Sequence, residues 1–294
     1  MVSTTAQTLA KGNELGHVTR PAKALIGWMT QEEGQLCMAG RQTNKSNNPE
    51  FIEKVALARA AVQSRPLGVD QSTLFEEVPA ELSSYLEKFR TSEAAKPYFD
   101  EGWVVRLADL RKVCALQPVV FWDHAEERAN SANPGDISSI AEVTLPIPDK
   151  TEIPIQFDPA RNTWMITSRN PNLKIVGHFM GPIQGVTVCG FLVTITPSFV
   201  QVVSHRDRFL LRDGYHRSLG LLARGIYKVP VLYKEFSQYD DLGLGHGMLQ
   251  GQAYLGDRPP LLSDYILESV STKVFLPAAQ KMIVVQGMEM NPLG

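Results

Sequence analysis

The chain has 294 residues, 44% hydrophobic and 20% charged, with a formal net charge of −2. That length suits one large domain or two smaller ones. The near-neutral charge excludes a wholly basic nucleic-acid coat protein while leaving room for a local basic face.

Cys37, Cys114 and Cys189 are widely spaced and form no C-x-x-C pair, so they read as idle thiols of a reducing compartment. No apolar run approaches the roughly 18 residues of a membrane span, and the N-terminus lacks the plan of a secretory signal. The expectation is a cytoplasmic protein with no membrane partner.

Along the chain, residues 1–20 are polar and without period, a flexible N-terminus. Residues 21–133 read as a mainly helical region. Asn48 is a natural N-cap, Pro49 fits the first helical position, and Phe51, Val55, Leu57, Ala58 and Val62 follow at helical spacing, predicting a helix over 49–63. Leu82, Leu86 and Phe89 predict a second helix over 80–89. Val104 and Val105 suggest a strand, residues 108–115 a short helix, and Gln117-Pro118 a break.

From about Pro134 helix formers thin out and β-branched residues alternate, in "EVTLPIP", "EIPIQFD", "TWMITS", "VTVCGFLVTITP" and "RFLLR". Residues 134–236 therefore read as a β-rich domain, with hairpin loops at 158–162 and 205–207. It holds one clear helix, from about Tyr215 to Arg224. Residues 237–294, rich in Gly and Pro, read as a loop-rich extension with helical pieces returning near 262–270. His246 there is a lid residue or nothing. The fold class expected is α/β, α+β in the stricter sense.

One segment concentrates chemistry. In "FLLRDGYHRSLGLLARGIYKVPVLYKEF" a strand ends at a glycine, a helix follows, Gly225 sits where a C-terminal cap belongs, and a second buried strand begins. A helix opening after such a turn presents free N–H groups and a positive dipole end. Arg212, His216, Arg217 and the Ser218 hydroxyl cluster about it, a fitting anion pocket, with phosphate the commonest biological anion. The bland alternative is an ordinary strand–turn–helix junction with solvated charges. Asp213 reads equally as turn residue, N-cap, metal ligand or base.

This block, Asp-Gly-x-His-Arg, helix, Gly, then Val229-Pro230-Val231, resembles the ParB/sulfiredoxin superfamily (the ParB-like N-terminal domain), over residues 199–233 only. The preceding "SFVQVVSHRDRFLLRDG" resembles the family's hairpin. The resemblance implies a sulfiredoxin-like mixed sheet toward the C-terminus and a nucleotide ligand, ATP or CTP, with Mg²⁺ as companion. Carried over, Gly214, His216 and Arg217 contact phosphates, with Ser218 as a helper. The function expected is NTP hydrolysis or phosphoryl transfer, with Arg212 adding to the phosphate site and Asp213 and His216 as the catalytic residues. Tyr215 stands where sulfiredoxins need a Cys, which argues against sulfinic-acid repair. No helix-turn-helix follows, which argues against DNA segregation. Asp before Gly resembles the DGQHR-type branch, with Tyr215 in place of Gln.

Between Gln201 and Lys234 seven Lys/Arg face two acids, whereas from Glu235 onward seven acids face three bases. A cationic face for phosphate or DNA is the sharp reading, a solvated hairpin tip the plain one. A DNA-binding or defence-associated module without catalysis is the alternative function. "WDHAEER" groups Asp123, His124, Glu126 and Glu127, a source of a base or a metal carboxylate, though charge-rich helix surfaces commonly look the same. His178, inside an apolar run, reads as a core histidine. Neither zinc-ligand spacing nor a G-x-x-x-x-G-K-[ST] loop occurs. The sequence leaves the oligomeric state open.

Overall fold

The computed structural model of the protein describes residues 19–40, 42–147, 153, 155–168, 172–245, 247–249, 253–277 and 281–287. Most of the expected loose N-terminus, residues 1–18, and His246 lie outside the described residues. Strand β1 (Thr19–Ala24) leads to helices α1 (Gln31–Ala39) and α2 (Pro49–Gln63), strand β2 (Phe75–Glu76), and helices α3 (Ser83–Thr91) and α4 (Lys96–Asp100). Strands β3 (Val104–Asp109) and β4 (Val119–Phe121) precede helices α5 (Trp122–Ala129) and α6 (Ile137–Thr144). Strands β5 (Ile155–Asp158), β6 (Thr163–Ser168), β7 (Leu173–Ile183) and β8 (Val186–Ile195) follow. Then come β9 (Gln201–His205), β10 (Arg208–Asp213), helix α7 (Tyr215–Ala223), β11 (Lys228–Glu235), β12 (Thr272–Pro277) and β13 (Lys281–Gln286). Helices and mixed sheets together make this an α/β fold, α+β in the stricter sense.

The chain packs as two units, residues 1–147 with 199–278, and residues 148–198 with 279–294. Packing therefore breaks at neither 133 nor 236, and the stretch 134–236 contributes to both units. The first unit carries two sheets. One has the order β10-β9-β11-β3-β2, antiparallel except where β11 runs parallel to β9. The other has the order β12-β1-β4 and is antiparallel throughout. Pro230 is tolerated in β11 because it pairs only with Leu107 of β3; β9 joins β11 from Leu232 onward, so the missing N–H interrupts no ladder on that side.

Helix α2 forms where the sequence predicts it. The Asn48 side chain accepts the Glu50 N–H at 3.0 Å, and Pro49 occupies the first turn. Val55, Ala58 and Val62 point into the core, while Leu57, on the same predicted stripe, is 63% exposed. The expected helix over 80–89 is a 3₁₀ turn (Ala80–Leu82) running into α3. The hairpin loops at 158–162 and 205–207 both form, and Arg206 and Asp207 take the left-handed backbone angles that a two-residue hairpin loop requires.

Three expected elements give way. Residues 108–115 are no helix: β3 continues to Asp109, a single 3₁₀ turn covers Leu110–Lys112, and Cys114 bridges to Leu210 and Leu261. The β-like "EVTLPIP" instead ends α6. Its N-cap, Asp136, accepts the N–H groups of Ser138 and Ser139, and Ile140, Ala141, Val143 and Thr144 are buried, so tertiary packing overrides β-branched propensity. The stretch after 236 contains β12 and β13, and its helical piece is the 3₁₀ segment Leu262–Ile266.

The second unit is all strand among its described residues. β13, β6 and β5 form an antiparallel sheet, and β7 and β8 pair as a separate two-stranded ribbon. His178, expected in a core, is exposed on that ribbon.

Candidate functional site

The strand–turn–helix segment folds as its sequence suggests, but it divides its polar side chains among three environments. β10 ends at Asp213, and Gly214 turns the chain at φ +95°. A Cβ at Gly214 would lie 2.9 Å from the Val200 Cα, so the turn needs glycine both for its backbone angle and for space. Asp213 Oδ1 accepts the Gly214 N–H at 2.6 Å, and α7 starts at Tyr215.

Tyr215 faces the core. Its hydroxyl donates to the Leu211 carbonyl at 2.8 Å and accepts the Leu116 N–H at 2.9 Å, tying the turn to its own strand and to residues 114–117. Burial pushes its phenol well above the ordinary range. Ser218 is fully buried on the same side.

Arg212 and Asp213 line a cleft of about 530 Å³ together with Pro97, Tyr98, Glu101, Gln201 and Gly243. The Arg212 guanidinium lies over the Trp103 and Phe236 rings, 5.3 and 5.8 Å from their centroids, and Nη1 donates to Gln201 Oε1 at 3.3 Å. The Gln201 amide donates to the Tyr98 hydroxyl at 3.4 Å. Lys234 sits over the same two rings. Burial raises the Asp213 carboxyl above its ordinary value, opposed by the Gly214 N–H and by Arg217, Arg128 and Arg212. Burial likewise raises the Tyr98 phenol.

His216 and Arg217 turn instead toward α5. The α5–α7 crossing is close enough that a Cβ on Gly220 would fall 2.1 Å from the Ala125 carbonyl oxygen. The rings of His124 and His216 meet edge-to-face at 5.5 Å, and the buried Nε2 of His216 has no hydrogen-bond partner among the described residues. Burial, with Arg128 and His124 adding, lowers the His216 imidazole to about 4. Arg20 reaches in from β1, with Nε on Asp123 at 2.6 Å and Nη1 on His124 Nε2 at 2.5 Å. Burial and the Arg128 charge lower the Arg217 guanidinium to about 10, against the pull of Asp213.

Sequence reasoning thus singled out Arg212, Asp213, His216, Arg217, Asp123 and His124, and the fold places them around one helix start. It missed Tyr98, Gln201, Arg20 and Arg128. Gln201 carried a signal, a lone carboxamide in the apolar run "FVQVV". Arg20 and Tyr98 carried none, because they arrive from distant elements. Glu126 and Glu127 stay at the periphery, Glu127 touching His124 Nδ1 at 3.5 Å. Among the described residues no group of three His, Cys, Asp or Glu gathers as a metal cage.

The fold and site together define a mixed α/β protein with a polar cleft at a strand–glycine–helix turn. No family model, characterised protein or solved structure matches the chain.

Proposed function

We propose that the cleft binds a nucleoside triphosphate, ATP or CTP, and that the protein hydrolyses it or transfers a phosphoryl group. The observation that supports this most directly is the pairing of Arg212 with Asp213 in a cleft of about 530 Å³, within the range of roughly 300–1,000 Å³ usual for small-molecule sites. Arg212 is held from both sides, by the Trp103–Phe236 shelf and by Gln201. A guanidinium so fixed offers a phosphate its fork with little ordering left to lose.

Asp213 is the base or metal contact in this reading. A carboxyl whose pKa is raised by burial is closer to the operating pH of a proton acceptor than a solvated one. Mg²⁺ fits as an ion carried by the nucleotide and held by one or two carboxylates, with Asp213 and Glu101 both lining the cleft. Gly214 supplies the turn. His216 and Arg217 act from behind it: Arg217 compensates the Asp213 charge, and the neutral His216 fills the α5–α7 seam beside His124.

The test is calorimetric titration of the full chain with ATP, CTP, GTP, UTP and ADP, each with and without Mg²⁺. Binding of one nucleotide, weakened about ten- to a hundredfold in folded Arg212→Ala, is the expected result, since a hydrogen bond to a charged group contributes roughly 1.5–3 kcal/mol. No binding to any of them, or undiminished binding in the variant, overturns the proposal.

A further inference from the structure

A second cleft, of about 570 Å³, opens in the first unit and shares no lining residue with the Arg212–Asp213 cleft. Arg59 and Gln63 of α2 line it, with Trp28 and Thr30 ahead of α1 and Asp257 and Arg258. Its volume falls within the roughly 300–1,000 Å³ of small-molecule sites.

Main-chain carbonyls, not carboxylates, place its guanidinium groups. Arg59 Nη1 donates to the Met29 carbonyl at 2.8 Å. Arg258 Nε donates to the Arg65 carbonyl at 2.8 Å, and the Arg258 carbonyl accepts the Trp28 indole N–H at 2.8 Å, so this residue is fixed at both ends. The neighbouring Arg65 shows the contrasting arrangement. It lies over the Trp28 ring, 5.0 Å from its centroid, and gives both Nη groups to the buried Asp264 at 2.8 and 2.9 Å. Among the described residues no carboxylate forms an ion pair with Arg59 or Arg258. Asp257, the one carboxylate of the lining, is exposed and joins neither. Two cations against one acid leave the cleft positive, and each guanidinium keeps unused N–H groups.

We propose that this cleft binds a phosphate monoester of a small organic molecule, with the phosphate held by Arg59 and Arg258 and the organic part beside Trp28. Phosphate over carboxylate follows from the number of forks. A carboxylate presents one edge, which a single bidentate guanidinium fills. A phosphate monoester presents three oxygens and takes a fork from each of two directions. Here the two forks arrive from separate elements, α2 and the segment at 257–258. Volume favours an ester over free phosphate. An inorganic phosphate occupies on the order of a few water volumes, at about 30 Å³ each. Most of the cleft is left for an organic body, against a lining that includes Trp28, Met29 and Val62. This site stands independently of the nucleotide reading of the Arg212–Asp213 cleft.

The experiment is calorimetric titration of the full chain at low ionic strength with glucose 6-phosphate, adenosine 5′-monophosphate, inorganic phosphate and succinate. At least one of the two monoesters should bind about tenfold or more tighter than inorganic phosphate or succinate, because its organic part adds contacts. Ala60 lines the cleft from an exposed position of α2, so Ala60→Glu adds a negative charge there without entering the core. That variant should weaken the monoester about tenfold or more, and Ala60→Lys should strengthen it. Arg258→Lys keeps the charge but removes the fork, and should weaken it by a similar factor. Lys54→Glu changes the net charge by more than Ala60→Glu does, at an exposed position of the same helix outside the cleft. It should leave the affinity within about twofold, since screening confines the effect of a surface charge. Arg212→Ala, in the other cleft, should also leave this binding in place, so the two readings fail separately. Equal thermal transitions for Ala60→Glu and Lys54→Glu show that the fold is kept.

No binding of either monoester overturns the proposal. So does binding that Ala60→Glu and Arg258→Lys leave unchanged, which places the ligand elsewhere on the chain. Succinate or inorganic phosphate binding as tightly as the better monoester overturns the assignment to a phosphate monoester.

Discussion

The rings of His124 on α5 and His216 on α7 meet edge-to-face with centroids 5.5 Å apart, in a seam where Arg20 engages His124 and Arg128 lies near His216. Two imidazoles surrounded by guanidinium groups are held neutral, since adding a proton to either would place another positive charge in a poorly solvated space. The relationship ties β1, α5 and the chemistry-bearing turn into one electrostatic unit.

That seam makes stability depend on pH. His216 is lowered to about 4 in the folded protein, against about 6.5 unfolded, and His124 is shifted in the same direction by burial and Arg20. Between those values the unfolded chain binds a proton that the folded chain refuses, so stability falls as pH drops from about 6.5 toward 4. Asp123, Glu127, Arg20 and Arg128 are the charged groups that act on the pair. His216→Gln should flatten the dependence by roughly 2–4 kcal/mol, read from the Tm of both proteins between pH 4 and pH 8. An unchanged slope in the variant would place the titration elsewhere.

Asp213 has the opposite sign. A carboxyl raised by burial favours its protonated form in the folded state, and that stability is lost as pH rises through the folded pKa. Asp213→Asn keeps an oxygen able to accept the Gly214 N–H and removes the buried charge. The variant should melt higher than the wild type at pH 7, with the gain vanishing near pH 4, while its nucleotide turnover is lost. A lower Tm at pH 7 would show that the pull of Arg212, Arg128 and Arg217 outweighs desolvation.

Gly214 and Gly225 separate backbone strain from steric exclusion. Both have positive φ, but a Cβ at Gly225 meets only the Tyr227 hydroxyl at 4.0 Å, whereas one at Gly214 lies 2.9 Å from the Val200 backbone. Gly225→Ala should lose about 1–2 kcal/mol to the left-handed conformation alone. Gly214→Ala should lose a further ~1–3 kcal/mol from overpacking. Chemical denaturation of the two variants gives the comparison, and equal losses would mean that β9 yields freely around Val200.

Gly243 offers a way to disturb the cleft without altering any side chain that lines it with a charge. Its Cβ would sit 2.8 Å from Arg212 Nη2, so Gly243→Ala must displace the guanidinium from its shelf or shift the loop after β11. The expectation is nucleotide affinity reduced about tenfold, with stability lowered by no more than ~2 kcal/mol. Affinity equal to wild type would separate Arg212 from ligand binding. Raising salt from low to moderate should weaken that affinity only mildly; a steep logarithmic fall, together with duplex binding, would favour the DNA reading.

Much of the fold was legible from local signals. The Asn48-Pro49 start of α2, the hairpin at 205–207, and the run from β10 through Gly214 and α7 to β11 each follow from a cap, a turn or a period that acts within a few residues. The 137–144 helix was less legible because Ile, Val and Thr favour strands until burial beneath neighbouring elements outweighs that preference. The segment 108–115 misled for a related reason: it reads as a short helix, but Ala108 and Asp109 are claimed by strand pairing and Cys114 by bridges to Leu210 and Leu261.

For the site, the sequence by itself determined the residues of the turn, Arg212 to Ser218, and that the turn needs glycine, but not Tyr98, Gln201, Arg20 or Arg128 around it. It could not determine which way each side chain points. That Arg212 lies on Trp103 and Phe236, that Asp213 shares a cleft with Tyr98, and that His216 meets His124 are contacts between residues many positions apart, set by sheet order and by the α5–α7 crossing. Local chemistry is written along the chain. The electrostatic environment that shifts a carboxyl or an imidazole arises only when tertiary packing removes water and brings distant charges together.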